Sequence, residues 1–556
     1  MDRRLLLAIG LIVVVAVLPA ILFPPKRAAP APAGPTTDTT GSPAPPVDSQ
    51  PGLQTAPPAV PVAAPAAARA LGTADTAVAR MVVVAGDLYR YEFSARGARL
   101  VSAALLRYQS FARGETGAAQ ILPADTRFLA YAFVVGADTL RLSDWTFEPD
   151  ADTLRVTQPE TALHWVARRG GREVRITYRF SPGTYRFEVE GEVVGAREGL
   201  LTVDIGPGLR SVDADSITDF RSYGVVTKAG RPERTDFRSL SPGQRRDLVG
   251  PFEWIAIKSK YFVAAVLTLE EGGPRFGGAV AVGGPKPGRY QTNVDITASL
   301  PSPDGRFRHS VYLGPQEYRR LARIGHDLND VNPYGWILRP IIRPVVDYAI
   351  LPILLWMHER LSLAYGWVLI LFGILVRLLL WPLNQKAMRS STAMQAIQPE
   401  LKAIQDKYKS EPQKLQQEML KLYREHGVNP VGGCLPMLLP MPVLFALFFV
   451  FANTIEFRGV SFLWLPDLSR ADPTYIIPLV MGASMFVLSW IGQRGLPPNP
   501  QAKMMMYLMP GMFTFLFLKF SSGLNLYYAV SNLTSLPQQW LISKERAKRL
   551  GGRKQT

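Results

Sequence analysis

Arg377 is the residue of this chain whose position has the clearest chemical consequence. Residues 362–384 read SLAYGWVLILFGILVRLLLWPLN, an apolar stretch with one guanidinium inside it. A hydrocarbon core about 30 Å thick is crossed by roughly 20 apolar residues in a helix. A charge at the centre of such a helix costs about 2.5–3.5 kcal/mol on insertion scales. Intramembrane charges therefore face a bundle interior or a water-filled cavity, where they attract and release groups of opposite sign. A second reading is a snorkelling side chain, because Arg377 stands five residues before Pro382 and so close to the end of the stretch. A polar cavity open to one side of the membrane is the leading reading.

Other chemistries find little footing. Cys434 is the single cysteine, so neither an internal disulfide nor a cysteine-based metal cluster is expected. His164 and His309 stand in no metal-spaced pair. GxSxG, HExxH and P-loop patterns are absent from the sequence. No catalytic residue, metal or cofactor is expected. Residues 385–429 carry eight Lys/Arg, among them Lys402, Lys407, Lys409 and Lys414. Such a segment reads as a solvated helical pair with a basic face, or as a docking site for acidic or RNA-containing partners. Composition favours the first.

These residues sit in a chain of 556 with a formal charge of +17. Charged residues make up 19%, below the usual soluble value of about 25%, and long uncharged runs crowd the C-terminal third. A basic balance of this kind suits anionic lipid or ribosomal RNA beside a membrane as well as free nucleic acid.

In chain order, residues 1–27 hold an apolar run behind Arg3 and Arg4. Its length of about 19 residues suits an uncleaved anchor better than a cleaved signal peptide, and the arginines keep the N-terminus in the cytoplasm. Residues 28–75 are rich in Pro, Ala and Thr and read as a disordered tether. From 76 to 330 the pattern has period two. Val174, Ile176, Tyr178 and Phe180 alternate with charged or polar residues, Ser181-Pro182-Gly183 makes a turn, and Tyr185, Phe187 and Val189 alternate again. A large exported β-sandwich follows, with 254–269 as another strand-rich stretch. Residues 331–361 form a connector that ends in an amphipathic helix, lying in the outer interface or closing the soluble domain.

Residues 362–543 form the helical core. A basic hairpin at 385–429 turns at Ser410-Glu411-Pro412, between helices over 385–409 and 412–426. Further apolar runs cover 431–455, 474–493, 504–518 and 520–542, with Ser522-Gly523 as a tight turn joining the last two. Six spans with a cytoplasmic N-terminus place 385–429 and the basic tail 544–556 inside, as the positive-inside rule requires.

Several stretches carry a resemblance. They are Asn429-Pro430-Val431-Gly432-Gly433-Cys434-Leu435-Pro436 with Met441-Pro442, ILVRLLLWPLN at 374–384, Asp472-Pro473-Thr474-Tyr475-Ile476-Ile477-Pro478, and SSGLNLYYAVSN at 521–532. Together they resemble the YidC membrane protein insertase family of Gram-negative bacteria. The match is strong over 335–542 and looser over 97–108 and 254–269. The resemblance implies a polytopic α-helical membrane protein of six transmembrane helices, with a five-helix insertase core and a periplasmic all-β supersandwich-like domain. It implies an insertase and folding chaperone, not an enzyme, acting alone or with the Sec translocon through a hydrophilic groove open to cytoplasm and lipid.

Arg377 would be the groove charge, and Gly373, Met441, Tyr527 and Tyr528 the client-contact candidates. Gly373 stands where the family usually carries a polar residue. The implied partners are nascent membrane proteins, the Sec translocon, the ribosome and signal recognition particle pathway, and membrane lipids, with no specific nucleic acid sequence. The implied location is the bacterial inner membrane, with both termini cytoplasmic and the β-domain periplasmic. One alternative is a multi-pass transporter with Arg377 in its substrate site. That reading predicts internal repeats and more intramembrane acids, and neither is visible. An anchored periplasmic glycan-binding enzyme would not need five C-terminal spans.

Overall fold

A computed structural model describes residues 80–269, 274–286, 288–332, 339–428, 441–494 and 500–552. The expected anchor at 1–27, the tether at 28–75 and the stretch around Cys434 lie outside the described residues. Among those described, twenty strands form sheets of five, nine and six strands.

Alternation builds the nine-stranded sheet. Arg172–Phe180 pairs antiparallel with Arg186–Val193, so that Val174, Ile176, Tyr178 and Phe180 share a buried face with Phe187, Val189 and Val193. Tyr185 precedes its strand instead of opening it. The expected stretch 254–269 is two strands, Trp254–Lys258 and Phe262–Leu267, paired antiparallel. Every residue of both is buried, which removes the alternation that would have marked the turn between them.

The other two sheets cover this one. From the five-stranded sheet, Tyr91 donates to the carbonyl of Leu313 at 2.8 Å, and Phe93 packs on Tyr178 with ring centroids 4.8 Å apart. From the six-stranded sheet, Tyr131 meets His309 at 3.1 Å between Oη and Nε2. His309 is fully buried, whereas His164 lies exposed with its Nδ1 3.0 Å from the Thr177 hydroxyl. Both are packing or surface histidines, as their isolation in the sequence implies.

Twelve helices of α type are described. α1 (Ser216–Arg221) lies within the β-domain, and α2 (Tyr318–Ile324) follows its last strand. α3 (Arg339–Val345) runs through a π-helical turn, Val346–Ile350, into α4 (Leu351–Leu361). These elements occupy the stretch expected to be amphipathic. Ile342, Val346, Ile350, Leu351 and Leu354 are buried against the helical core, while Tyr348 and Trp356 are exposed.

α5 (Tyr365–Leu379) carries Arg377. It stops at Leu380 and α6 (Trp381–Ala396) begins one residue later, with Pro382 where a missing N–H costs least. The expected long hairpin helix over 385–409 is thus divided. Its first part belongs to α6, and a break at Ile397 separates that from α7 (Gln398–Lys407). Pro399 at the start of α7 accounts for the break: a proline ring clashes with the carbonyl four residues back, so it is tolerated only in a first turn.

α8 (Pro412–Glu425) completes the hairpin, and α9 (Met441–Asn453), α10 (Ile476–Gln493), α11 (Pro500–Phe517) and α12 (Ser522–Gly552) follow. Ser522-Gly523 is the first turn of α12, not a reverse turn; the chain turns over residues 518–521 instead.

α10 is long and apolar enough to cross a membrane by length and composition. Tyr365–Leu379 and Pro442–Phe451 are shorter apolar helices. α5 buries Val368, Leu369 and Phe372 on one side and exposes Trp367, Leu371, Leu375 and Leu378 on the other. α11 exposes Met504, Leu508, Met512, Phe515 and Leu516. Apolar patches of this extent mark a lipid or protein contact.

Candidate functional site

The site is built where α5 crosses α12. Gly373 and Arg377 lie one turn apart and so share a face of α5. That face meets α12: a Cβ on Gly373 would stand 3.4 Å from Val530 Cγ1 and 3.5 Å from Tyr527 Cδ2. A Cβ there would make ordinary van der Waals contact, and Gly373 is buried between the two helices. One turn on, Arg377 is half-buried. Its Nε is shielded and finds no hydrogen-bond partner among the described residues. A shielded guanidinium N–H without an acceptor leaves one donor available in a site of low dielectric.

α12 carries polar groups along most of its length, on a side that meets α10 at Ser484 and Gly492. Asn525, Ser535, Gln538, Gln539 and Ser543 are buried, and Tyr528 and Asn532 are half-buried. The positions 525, 528, 532, 535, 539 and 543 recur at helical spacing, which defines one polar stripe. Neighbouring helices partly answer it. Asn532 Nδ2 donates to Ser484 Oγ of α10 at 3.2 Å, and, off the stripe, Gln538 Nε2 donates to the Trp381 carbonyl of α6 at 3.0 Å. The answer is incomplete, because Tyr528 Oη, Gln538 Oε1 and Asn384 Nδ2 are buried without hydrogen-bond partners among the described residues. Several unsatisfied polar atoms in one region are unusual in a packed core and suit a surface that water or a second chain visits.

Of the expected contact residues, Tyr527 and Tyr528 stand on α12 with rings 5.4 Å apart. Tyr527 is buried, against Phe372 and the Gly373 backbone, while Tyr528 packs edge-on against Phe517. Met441 opens α9, and its side chain lies outside the described residues. The polar stripe, Asn384 and Ser484 went unremarked in the sequence. Their signal was present in 520–542, an uncharged run whose Asn, Ser and Gln residues recur at helical spacing.

The hairpin lies apart from this site in the chain. Lys402, Lys407, Lys409 and Lys414 are all exposed. Lys407 and Lys414 flank the Tyr408 ring at 5.2 and 5.8 Å, and Lys414 pairs with Glu411 at 3.1 Å. Leu415, Met419, Leu420 and Tyr423 of α8 line a shallow apolar depression.

A family model described as 60Kd inner membrane protein matches residues 356–549, and one described as YidC periplasmic domain matches residues 81–347. The membrane protein insertase YidC of Chlorobium phaeovibrioides is 32% identical over 524 residues, covering 87% of this chain and 86% of that protein. The chain belongs to the YidC membrane protein insertase family. The YidC of Chloroherpeton thalassium is 35% identical over 408 residues, 68% of each chain. That of Aromatoleum aromaticum is 31% identical over 494 residues, 85% of this chain and 86% of that one. The transporter alternative draws no support from these relatives. Among solved structures, a crystal structure of an active YidC insertase with its first transmembrane domain resolved is 19% identical. It covers 83% of this chain and 92% of that chain at a TM-score of 0.34.

Proposed function

We propose that this chain inserts client transmembrane segments into the bacterial inner membrane along the face where α5, carrying Arg377, meets α12. The observation that carries the reading is the shielded Nε of Arg377, which lacks a partner among the described residues although the neighbouring helix is polar. A polar groove part-way into the membrane shortens the path across hydrocarbon for a client's polar tail. Arg377 attracts an acidic group in that tail and offsets part of its desolvation before releasing it. The apolar client helix then leaves sideways into lipid, driven by burial of apolar surface at roughly 25 cal/mol per Å². No nucleotide is required for such a transfer.

In this reading the protein has six spans and is a chaperone without catalytic activity. The β-domain is periplasmic and both termini are cytoplasmic. Tyr527, Tyr528, Met441 and Gly373 border the client path. The hairpin with Lys402, Lys407, Lys409 and Lys414 receives partners on the cytoplasmic side, for which the Sec translocon, the ribosome and the signal recognition particle pathway are the candidates.

The test is insertion by the purified full chain in liposomes. A small client with an acidic outer tail is added, and protease protection of the tail is compared between wild type, Arg377→Ala and empty liposomes. Protection by wild type alone is expected. A second client with a neutral tail should lose little in Arg377→Ala; equal loss for both clients would refute the electrostatic role of Arg377. Folded wild type that protects no better than empty liposomes would refute autonomous insertion.

A further inference from the structure

The segment between α9 and α10 joins the two modules as a seam. Ile455 is buried in the hydrophobic core of the β-domain, whereas Phe457, Phe462, Leu465 and Leu468 are buried in that of the helices. Residues two apart in one loop thus belong to two different cores. Phe462 lies over Gly366 in α5, where any Cβ would clash with its ring at 2.1 Å. Loops are ordinarily the mobile parts of a fold; this one is anchored on both sides.

Arg458 is the polar centre of the seam. Its side chain is 2% exposed. Nε donates to Asp213 Oδ1 of the β-domain at 2.6 Å, Nη1 to the Gln109 carbonyl at 2.9 Å, and Nη2 to the Val212 carbonyl at 3.0 Å. The guanidinium also lies over Phe111 and Phe262, at 4.5 and 5.3 Å from the ring centroids. Planar fork, three acceptors and aromatic faces are the set that arginine can satisfy and lysine cannot. Next to it, Gly459 has φ +71, and a Cβ there would stand 2.6 Å from Phe111 Cζ, so the turn at this point requires glycine.

The far side of the seam holds the helix starts. Asp472 accepts from the Ile477 amide in the first turn of α10 at 2.8 Å. The amides of Ser522 and Gly523, at the start of α12, donate to the carbonyls of Arg470 at 2.6 Å and Leu468 at 2.9 Å. These are the two helices that carry the polar stripe and its Ser484 partner.

We propose that Arg458 is a positioning residue that makes the β-domain and residues 455–472 one rigid body, and that this body seals the end of the helical core where α10 and α12 begin. The β-domain is then part of the closure itself, not an accessory on a tether. Movement of the helices that admits a client is confined to their opposite ends. That this sealed end is the outer one rests on the proposed function; the seal does not.

The experiment uses the full chain in lipid nanodiscs, as wild type, Arg458→Lys, Asp213→Asn and the double variant. Hydrogen exchange is followed in residues 455–472 and in the first turns of α10 and α12. Exchange there should rise by about tenfold or more in each single variant. The double variant should be no worse than the singles, because the pair acts as a unit. Dye-loaded liposomes should leak faster with the variants than with wild type. Exchange in residues 535–543 and the melting of the β-domain should stay near wild type. Unchanged exchange at the start of α12 in both single variants would overturn the proposal. So would loss of protection spread evenly through the β-domain, which would make Arg458 a fold-stability residue only. Failure of wild type to insert a client would sink the insertase reading and leave these readouts intact.

Discussion

Tyr527 lies against the bare α-carbon of Gly373, one turn of α5 before Arg377, with its Cδ2 3.5 Å from where a Cβ would be. The space is tight but ordinary, since contacts of 3.4 to 3.5 Å to Val530 and Tyr527 are normal van der Waals distances. Gly373→Ser should therefore fold and insert clients like wild type. It should be unchanged or up to about 1 kcal/mol more stable, because glycine costs roughly that much in a helix interior. Gly373→Leu should push the helices apart and lower the melting temperature. A strongly destabilised Gly373→Ser would mean that the helices approach more closely than described.

The hairpin lysines make a different prediction. Lys402, Lys407, Lys409 and Lys414 are exposed, and the Lys414–Glu411 pair at 3.1 Å is a surface pair. Exposed pairs of this kind contribute about 0–1 kcal/mol. Replacing all four lysines by Gln should leave the melting temperature nearly unchanged. If the hairpin receives acidic partners, co-sedimentation of the chain with ribosomes should weaken and lose its salt dependence. Binding that is unaffected would assign the lysines to solvation and topology alone.

How much of this was legible in the sequence depended on whether a residue had one solvated face. The hairpin of Arg172–Phe180 and Arg186–Val193 was readable because charged residues alternate with buried ones. Trp254–Lys258 and Phe262–Leu267 are buried on both faces, so no alternation divided them. Arg377 was conspicuous because a charge in an apolar run has a large cost. The polar stripe of α12 was not, because Asn, Ser and Gln carry no charge and blend into a window of apolar residues. Arg458 is a single charge in a loop and carries no local signal. Its partner Asp213 is 245 positions away, a separation that no local pattern can bridge.

Asp472 tests the helix starts from the other side. It is 1% exposed and accepts from the Thr474 amide at 2.9 Å, the Thr474 hydroxyl at 2.7 Å and the Ile477 amide at 2.8 Å. Tyr475, which stands at the N-cap of α10, supplies no side-chain cap of its own. Asp472→Ala removes all three acceptor contacts and should cost about 1–3 kcal/mol, read as a lower melting temperature of the full chain. Asp472→Asn keeps one carbonyl oxygen and should cost less. Equal losses in the two variants would show that the carboxylate charge matters more than the contacts.

His309 gives the stability of the β-domain a pH dependence. Burial disfavours the imidazolium and brings the group down to about 4. Between the ordinary histidine value and about 4, the unfolded chain binds a proton at His309 that the folded chain does not. Stability contributed by the neutral, buried ring is therefore present above pH 6.5 and is lost as pH falls towards 4. At about 1.4 kcal/mol per unit, the loss is on the order of 3 kcal/mol.

Asp204 and Asp219 act in the opposite direction. Burial raises both to about 6, so each binds a proton in the folded state first and adds stability as pH falls through that value. The wild-type profile mixes these contributions, and His309→Gln separates them while keeping a polar partner for Tyr131. The variant should melt below wild type at pH 7.5, because packing is lost at a fully buried site. The gap should close or reverse by pH 4.5, because the variant has no imidazole to protonate. A gap that stays constant between those pH values would show that His309 is not held neutral in the fold.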